Sequence, residues 1–130
     1  MMQAAKNGID LGIIVSDIQA SLHFYHSLLG LEKVGVGPAT TGTMHRLRFG
    51  NCDVKLIVPE HKSGPGPIGI DQQLGLRYFT FVVTNLDAIC QHLQANHVLF
   101  TRPKMQLRPG VCIAMVKDPD GNIVEFVERG

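Results

Sequence analysis

Four charged side chains lie close together in the first half of the chain: Arg46, Arg48, Asp53 and Lys55. Between them, Gly50 and Asn51 form a two-residue connection with glycine first, which favours a type II′ turn between antiparallel strands. Such a turn places Phe49 opposite Cys52, so the four charged side chains share one face of the hairpin. The planar guanidinium of arginine binds both oxygens of a carboxylate. The pattern indicates anion recognition; the alternative is a solvent-exposed face whose charges pair with one another.

The remaining motifs do not predict a cofactor site. His23 and His26 have the spacing of one helix face, but no third ligand accompanies them. Residues 64–69 spell GxGxxG, yet two prolines remove amide donors and no clear helix follows, so a dinucleotide site is not expected. The three cysteines lack CxxC spacing and are expected to be free, buried thiols in a reducing compartment.

Composition limits the class of protein. With 130 residues, 45% of them hydrophobic and 18% charged, the chain is long enough for one domain with one core. A formal net charge of +1 gives no electrostatic field for nucleic acid. No apolar run approaches the roughly 20 residues that span a bilayer, and residues 1–8 do not resemble a secretory signal. We therefore expect a cytoplasmic protein with no nucleic-acid or membrane partner.

The elements that carry these residues occur in the same order twice, β-α-β-β-β, on either side of an irregular segment. Asp17 and Asn85 stand at corresponding helix starts, and both are good N-cap residues. The sequence predicts an α+β fold in which two βαβββ modules, residues 9–58 and 75–128, form one curved mixed sheet around a cavity with the helices outside. The predicted strands are residues 9–15, 31–37, 44–49, 52–58, 76–83, 98–104, 111–117 and 122–128, and the predicted helices are 18–30 and 85–96.

The segment that joins the two modules, residues 59–74, contains three prolines and three glycines. Its composition predicts a loop without regular structure. Loops of this length in a compact domain are commonly functional. We expect it either to fold over the cavity mouth or to become ordered at a dimer interface.

Three stretches resemble the vicinal oxygen chelate superfamily: VSDIQASLHFYHSLLGLEKV at residues 15–34, FVVTNLDAICQHL at 81–93 and DPDGNIVEF at 118–126. That group includes glyoxalase I, the bleomycin- and fosfomycin-resistance proteins, methylmalonyl-CoA epimerase and extradiol dioxygenases. The resemblance implies paired βαβββ modules, a homodimer, and a metal ion held by one side chain from each of four strands.

The four metal positions implied by the resemblance fall on Asp10, Lys55, Tyr78 and Glu125. A divalent ion needs several deprotonated ligands, and a lysine there would compete with it as a second cation. The expectation is therefore no metal cofactor; if a metal binds, Asp10 and Glu125 are the ligands that remain. The Lys55 ammonium is expected to lie between these two carboxylates in place of the ion.

Because the metal positions of relatives face the cavity, strand alternation extends the resemblance to neighbouring side chains. The expected cavity wall combines cations, acids and neutral donors: Arg46, Arg48, Lys55, Asp10, Asp53, Glu125, Tyr78 and Thr80. This set predicts a pocket for a small oxygen-rich or anionic molecule.

Three functions follow. The first is a metal-independent lyase or isomerase, in which Glu125 or Asp10 removes a proton next to a carbonyl while Lys55, Tyr78 or an arginine stabilises the enolate oxygen. The second is a non-catalytic protein that binds and sequesters a small molecule. The third is a metal-dependent enzyme with displaced ligands, such as Asp10, Glu125 and a histidine.

Overall fold

Two four-stranded sheets with the same strand order make up the computed structural model of the chain. Residues 1–66 and 69–130 are described, and they divide into two units, Met1–Gly64 and Pro65–Gly130. Part of the predicted loop 59–74 and of the GxGxxG stretch, residues 67–68, lies outside the described residues. No helix among the described residues is long and apolar enough to cross a membrane.

The first unit contains one mixed sheet and one helical segment. Its strands are β1 (Leu11–Ile14), β2 (Glu32–Pro38), β3 (Thr43–Phe49) and β4 (Cys52–Val58). Their order is β1-β4-β3-β2, with β1 parallel to β4 and the other pairs antiparallel. Between β1 and β2, α1 (Ile18–Leu22) continues as a π-helical segment, His23–Leu28.

Capping and apolar burial explain the helical segment. The Asp17 carboxylate accepts hydrogen bonds from the backbone N–H groups of Gln19 and Ala20, at 3.0 and 3.1 Å, so it caps α1 as predicted. Phe24 and Tyr25 are buried, with their rings edge to face. α1 packs against β4. The core of this unit includes three side chains of the β3–β4 hairpin that are at most 2% exposed: Leu47, Val54 and Leu56.

The β3–β4 hairpin has the predicted register. Gly50 has a φ of +58°, and Asn51 is not in the positive-φ region, as a type II′ turn requires. Phe49 lies opposite Cys52, and Arg46 lies opposite Lys55. The turn therefore separates a buried apolar face from a charged one.

The second unit repeats this topology. Its strands are β5 (Tyr78–Val82), β6 (Phe100–Arg108), β7 (Val111–Lys117) and β8 (Ile123–Arg129). They are ordered β5-β8-β7-β6, with β5 parallel to β8. β6 contains Pro103, which an edge strand tolerates because one side of it needs no amide donor.

Helix α2 (Leu86–Ala95) begins in an unexpected way. Asn85 occupies the predicted N-cap position, but its side chain makes no capping hydrogen bond. The carboxylate of Glu128, on β8, instead accepts a 2.7 Å hydrogen bond from the backbone N–H of Leu86. The helix start is therefore tied to the last strand of its own sheet.

The α+β class and the two βαβββ units are confirmed, with shifts at the element ends. The strand predicted over residues 98–104 is Phe100–Arg108, and that predicted over 76–83 is Tyr78–Val82. All three cysteines are free; Cys90 is buried, whereas Cys52 and Cys112 are half-buried rather than fully buried. That the sheets curve around one shared cavity with the helices outside stays a prediction.

Candidate functional site

The buried carboxylate of Asp53 organises the charged face of the first sheet. Its side chain is 10% exposed, and Arg48 Nε donates a 3.0 Å hydrogen bond to Oδ1. This contact raises the pKa of Arg48 above its usual value. Arg46 Nε lies 3.6 Å from the other carboxylate oxygen, which is an ion pair too long for a hydrogen bond. Arg46 Nε is also buried without a hydrogen-bond partner among residues 1–66 and 69–130.

Lys55 stands directly opposite Arg46 in the strand register, so two cations are neighbours on one face. Gly12 flanks Lys55 on β1, and Gly35 flanks Arg46 on β2. Lys55 is half-buried, and its ammonium makes no hydrogen bond or ion pair with any residue of the described chain. We call Gly12, Lys55, Arg46 and Gly35 the cation row.

Asp10 directly precedes β1, and its carboxylate already accepts two hydrogen bonds. Its Oδ1 accepts from Lys6 Nζ at 2.5 Å and from the backbone N–H of Asp53 at 2.8 Å. The hydrogen bond from Lys6 is the main reason that the pKa of Asp10 is lowered, followed by the bond from Asp53. The positive charge of Lys55 contributes a smaller part. Sequence reasoning missed Lys6, because it lies before the first strand, where strand alternation carries no information.

The segment that carries Lys6 lies against the turn of the hairpin. Asn51 Nδ2 donates a 2.6 Å hydrogen bond to the carbonyl oxygen of Asn7. A Cβ at Gly8 would lie 2.6 Å from the Cys52 sulfur, closer than real Cβ atoms approach. A residue without a side chain therefore lets this segment lie close enough to bring Lys6 to Asp10.

In the second unit, Glu125 is paired with Thr80. The two residues are opposite each other on the parallel strands β5 and β8, and Thr80 Oγ1 donates a 2.7 Å hydrogen bond to Glu125 Oε1. Oε2 of Glu125 accepts no hydrogen bond from the described residues. Tyr78, two residues before Thr80 on the same face, is 49% exposed.

The candidate residues thus form two sets, each within one sheet. The first sheet brings five of them together: Asp10, Arg46, Arg48, Asp53 and Lys55. The second sheet brings together three: Tyr78, Thr80 and Glu125. Lys55 forms no ion pair with Asp10, and its expected placement between Asp10 and Glu125 stays a prediction.

The residues at the four metal positions do not fit a divalent ion. Lys55 offers a cation, and Asp10 Oδ1 already accepts two hydrogen bonds. Across residues 1–66 and 69–130, no group of three or more His, Cys, Asp or Glu side chains is arranged to hold a metal ion.

Comparison with known proteins agrees with this fold. The family model of the Glyoxalase/Bleomycin resistance protein/Dioxygenase superfamily matches residues 9–126. The chain belongs to this superfamily, which confirms the resemblance stated above. A comparison with curated proteins gave no match.

Several solved structures share the fold at low sequence identity. The structure of SMU.1112c is 23% identical, with a TM-score of 0.77, and the match covers 96% of this chain and 100% of that one. TnmS3, an antibiotic binding protein from Streptomyces sp. CB03234, is 21% identical with a TM-score of 0.74, over 98% of this chain and 100% of its own. Lactoylglutathione lyase from Agrobacterium tumefaciens is 20% identical with a TM-score of 0.71, over 97% and 96%. These similarities extend to the fold alone.

Proposed function

We propose that the protein binds a small organic anion at the cation row of the first sheet, without a metal ion. The observation that carries this proposal is the Lys55 ammonium, which lies directly opposite Arg46 and forms no hydrogen bond or ion pair within residues 1–66 and 69–130. Like charges opposite each other in a sheet destabilise it, and an anion bound between them removes that cost. A bound anion therefore supplies the negative charge between Lys55 and Arg46.

The charge balance of this face supports an anionic ligand. Three carboxylates accompany four cations on this face: Asp10, Asp53 and Glu32 with Lys6, Arg46, Arg48 and Lys55. Asp53 is satisfied by the two arginines and Asp10 by Lys6 and the Asp53 N–H, so neither carboxylate forms a direct ion pair with Lys55. A ligand carboxylate completes the balance.

Each residue has a distinct role in this proposal. The Lys55 ammonium contacts the anion as a point charge, and Arg46 offers its guanidinium N–H groups from the opposite strand. Asp53 holds both arginines in place, and Arg48 helps to hold Asp53. Gly12 and Gly35 add no side chain that would cover the two cations. The antibiotic-binding activity of TnmS3 shows that this fold also serves ligand binding.

Replacing Lys55 by methionine tests the proposal. Wild-type protein is titrated with acetate, phenylacetate and inorganic phosphate at constant ionic strength, and the backbone amide shifts of β3 and β4 are followed by NMR. We expect at least one anion to saturate these shifts and Lys55→Met to weaken its affinity about tenfold or more, because a charge-assisted hydrogen bond is lost.

Lys33→Met is the matched control. Lys33 is exposed and lies opposite Leu47, so it belongs to the other face of the same sheet. Its replacement removes one positive charge from the protein without touching the cation row, and anion affinity is expected to stay unchanged. An equal loss in both variants, or no saturable binding of any of the three anions to the wild type, contradicts the proposal.

A second candidate function is proton transfer by Glu125, favoured by its contact with Thr80. The hydrogen bond from Thr80 fixes Oε1 of Glu125. Oε2 of Glu125 accepts no hydrogen bond from the residues described, so Oε2 is positioned to remove a proton from a carbon next to a carbonyl. The C–H electrons move toward the carbonyl oxygen, where the Tyr78 hydroxyl would donate to the enolate. Asp10 is the poorer base, because its lowered pKa weakens its hold on a proton. Lactoylglutathione lyase is among the structures of this fold.

Deuterium exchange separates the two functions. If Glu125 is a base, the protein speeds incorporation of deuterium from D2O into hydroxyacetone, and Glu125→Gln lowers that rate by about a hundredfold or more while anion binding persists. Glu60→Gln, at an exposed glutamate of the first unit, is the control. Exchange no faster than in buffer, with anion binding intact, leaves binding as the function.

A further inference from the structure

Beside the cation row, the same face of the first sheet carries an apolar row. Two residues further along each strand, the register aligns Ile14 with Ile57, Ile57 with Met44, and Met44 with Gly37. Because strand side chains alternate, both rows lie on one face. We call Ile14, Ile57, Met44 and Gly37 the apolar row.

The apolar row has an exposed edge. Ile14 is 44% exposed, and Ile57 and Met44 are half-buried. A Cβ built at Gly37 would meet no atom within 4 Å, and the same holds at Gly35 in the cation row. The β2 side of both rows is therefore open, and apolar surface of this kind next to charge suits a ligand that offers both.

On this face, charged residues and apolar residues lie on opposite sides of the cation row. On the other side of the cation row, toward the hairpin turn, lie charged residues: Asp53, Arg48 and Glu32. An anion held by Lys55 and Arg46 therefore has charge on one side and apolar surface on the other. Any apolar part of the ligand is directed toward Met44 and Ile14.

We propose that the ligand is an amphipathic organic acid, whose anionic head binds the cation row and whose apolar body lies along the apolar row. This inference rests on the proposed anion-binding function and adds the chemical class of the ligand. The two rows are about 7 Å apart, the rise of two strand residues, which suits a body of one aromatic ring or a short alkyl chain. Inorganic anions and fully hydroxylated acids would leave the apolar row unused.

Three probes of matched structure test the class. Phenylacetate has both the head and the body, acetate has only the head, and phenylacetamide keeps the body without the charge. In NMR titrations of the wild-type protein at constant ionic strength, phenylacetate is expected to bind at least about tenfold more tightly than acetate. Phenylacetate is expected to shift the amides of Ile14 and Met44, and phenylacetamide is expected not to saturate.

A substitution in the apolar row tests where the apolar body of the ligand binds. Ile14→Thr keeps a β-branched residue suited to a strand and removes apolar surface, so it is expected to weaken phenylacetate several-fold and to leave acetate unchanged. Val36→Thr is the control, since exposed Val36 lies opposite His45 on the other face of the sheet. Thermal unfolding of each variant checks that the fold is kept.

The outcomes distinguish the amphipathic-acid proposal from the anion-binding function on which it rests. Equal affinity for acetate and phenylacetate, with both lost in Lys55→Met, overturns the amphipathic acid and keeps anion binding. Loss of phenylacetate affinity in Val36→Thr to the same degree as in Ile14→Thr also overturns it. If neither anion binds, anion binding at the cation row is itself wrong. Tight binding of phenylacetamide would mean that the apolar row acts without the cations, which overturns the proposed head group.

Discussion

The Asp53→Asn variant is expected to lose about 2 kcal/mol of unfolding free energy, because its carboxylate is desolvated and holds two arginines. The Asp53 side chain is 10% exposed and lies within ion-pair distance of Arg46 and Arg48. Asparagine keeps the size and one acceptor oxygen but removes the one carboxylate that forms ion pairs with Arg46 and Arg48 among the described residues. Urea unfolding followed by circular dichroism measures the loss.

Asp87→Asn serves as the comparison, since it also breaks a carboxylate–cation pair. Asp87 pairs with Lys104, but its side chain is 75% exposed. Solvent screens such a pair, so this variant is expected to lose less than about 1 kcal/mol. If both variants lose the same amount, burial of Asp53 does not strengthen its pairs, and its role in holding the arginines is wrong.

The Gly42→Ala variant is expected to cause the largest loss of stability, about 3 kcal/mol or more. Gly42 has a φ of +68°, and an added Cβ would lie 1.8 Å from the carbonyl oxygen of Val58. The backbone must therefore move at the start of β3, where Thr43 pairs with Val58. Because β3 carries Arg46, anion affinity is expected to fall with stability.

Gly35→Ala provides the control for Gly42. A Cβ at Gly35 would meet nothing within 4 Å, and its backbone is not in the positive-φ region. Its unfolding free energy is expected to stay within about 1 kcal/mol of the wild type. A Gly42→Ala protein that unfolds at the same urea concentration as Gly35→Ala would show that the backbone near Val58 yields without cost.

Local patterns in the sequence predicted the hairpin, whereas features that depend on long-range contacts could not be predicted. A two-residue turn fixes the register of both strands, so the opposition of Arg46 and Lys55 could be predicted without knowledge of the remaining chain. The start of α2 could not, because Glu128 lies 42 residues away in the sequence and reaches Leu86 only once β8 is paired. The helix cap therefore depends on tertiary structure rather than on Asn85.

In the candidate site, too, some contacts follow from local sequence patterns and others depend on segments distant in sequence. Strand alternation predicted that Asp53 shares a face with the two arginines, and their ion pairs follow from that. Within the described residues Lys55 has no ionic partner in its row, where Gly12 and Gly35 stand; both glycines reach this row through pairing with strands distant in sequence. Lys6 lies outside any repeating pattern, so its pairing with Asp10 became visible only in three dimensions.

The shared strand order of the two sheets has an evolutionary consequence. One supersecondary unit, used twice, supports a cluster of cations around Asp53 in the first copy and the Thr80–Glu125 pair in the second. Each of these polar groups finds its partners on neighbouring strands of its own sheet. The repeated unit thus supplies two scaffolds of equal topology whose polar rows can change separately. A lineage can retune the charge of one copy by single substitutions while the local hydrogen bonds of the other copy persist.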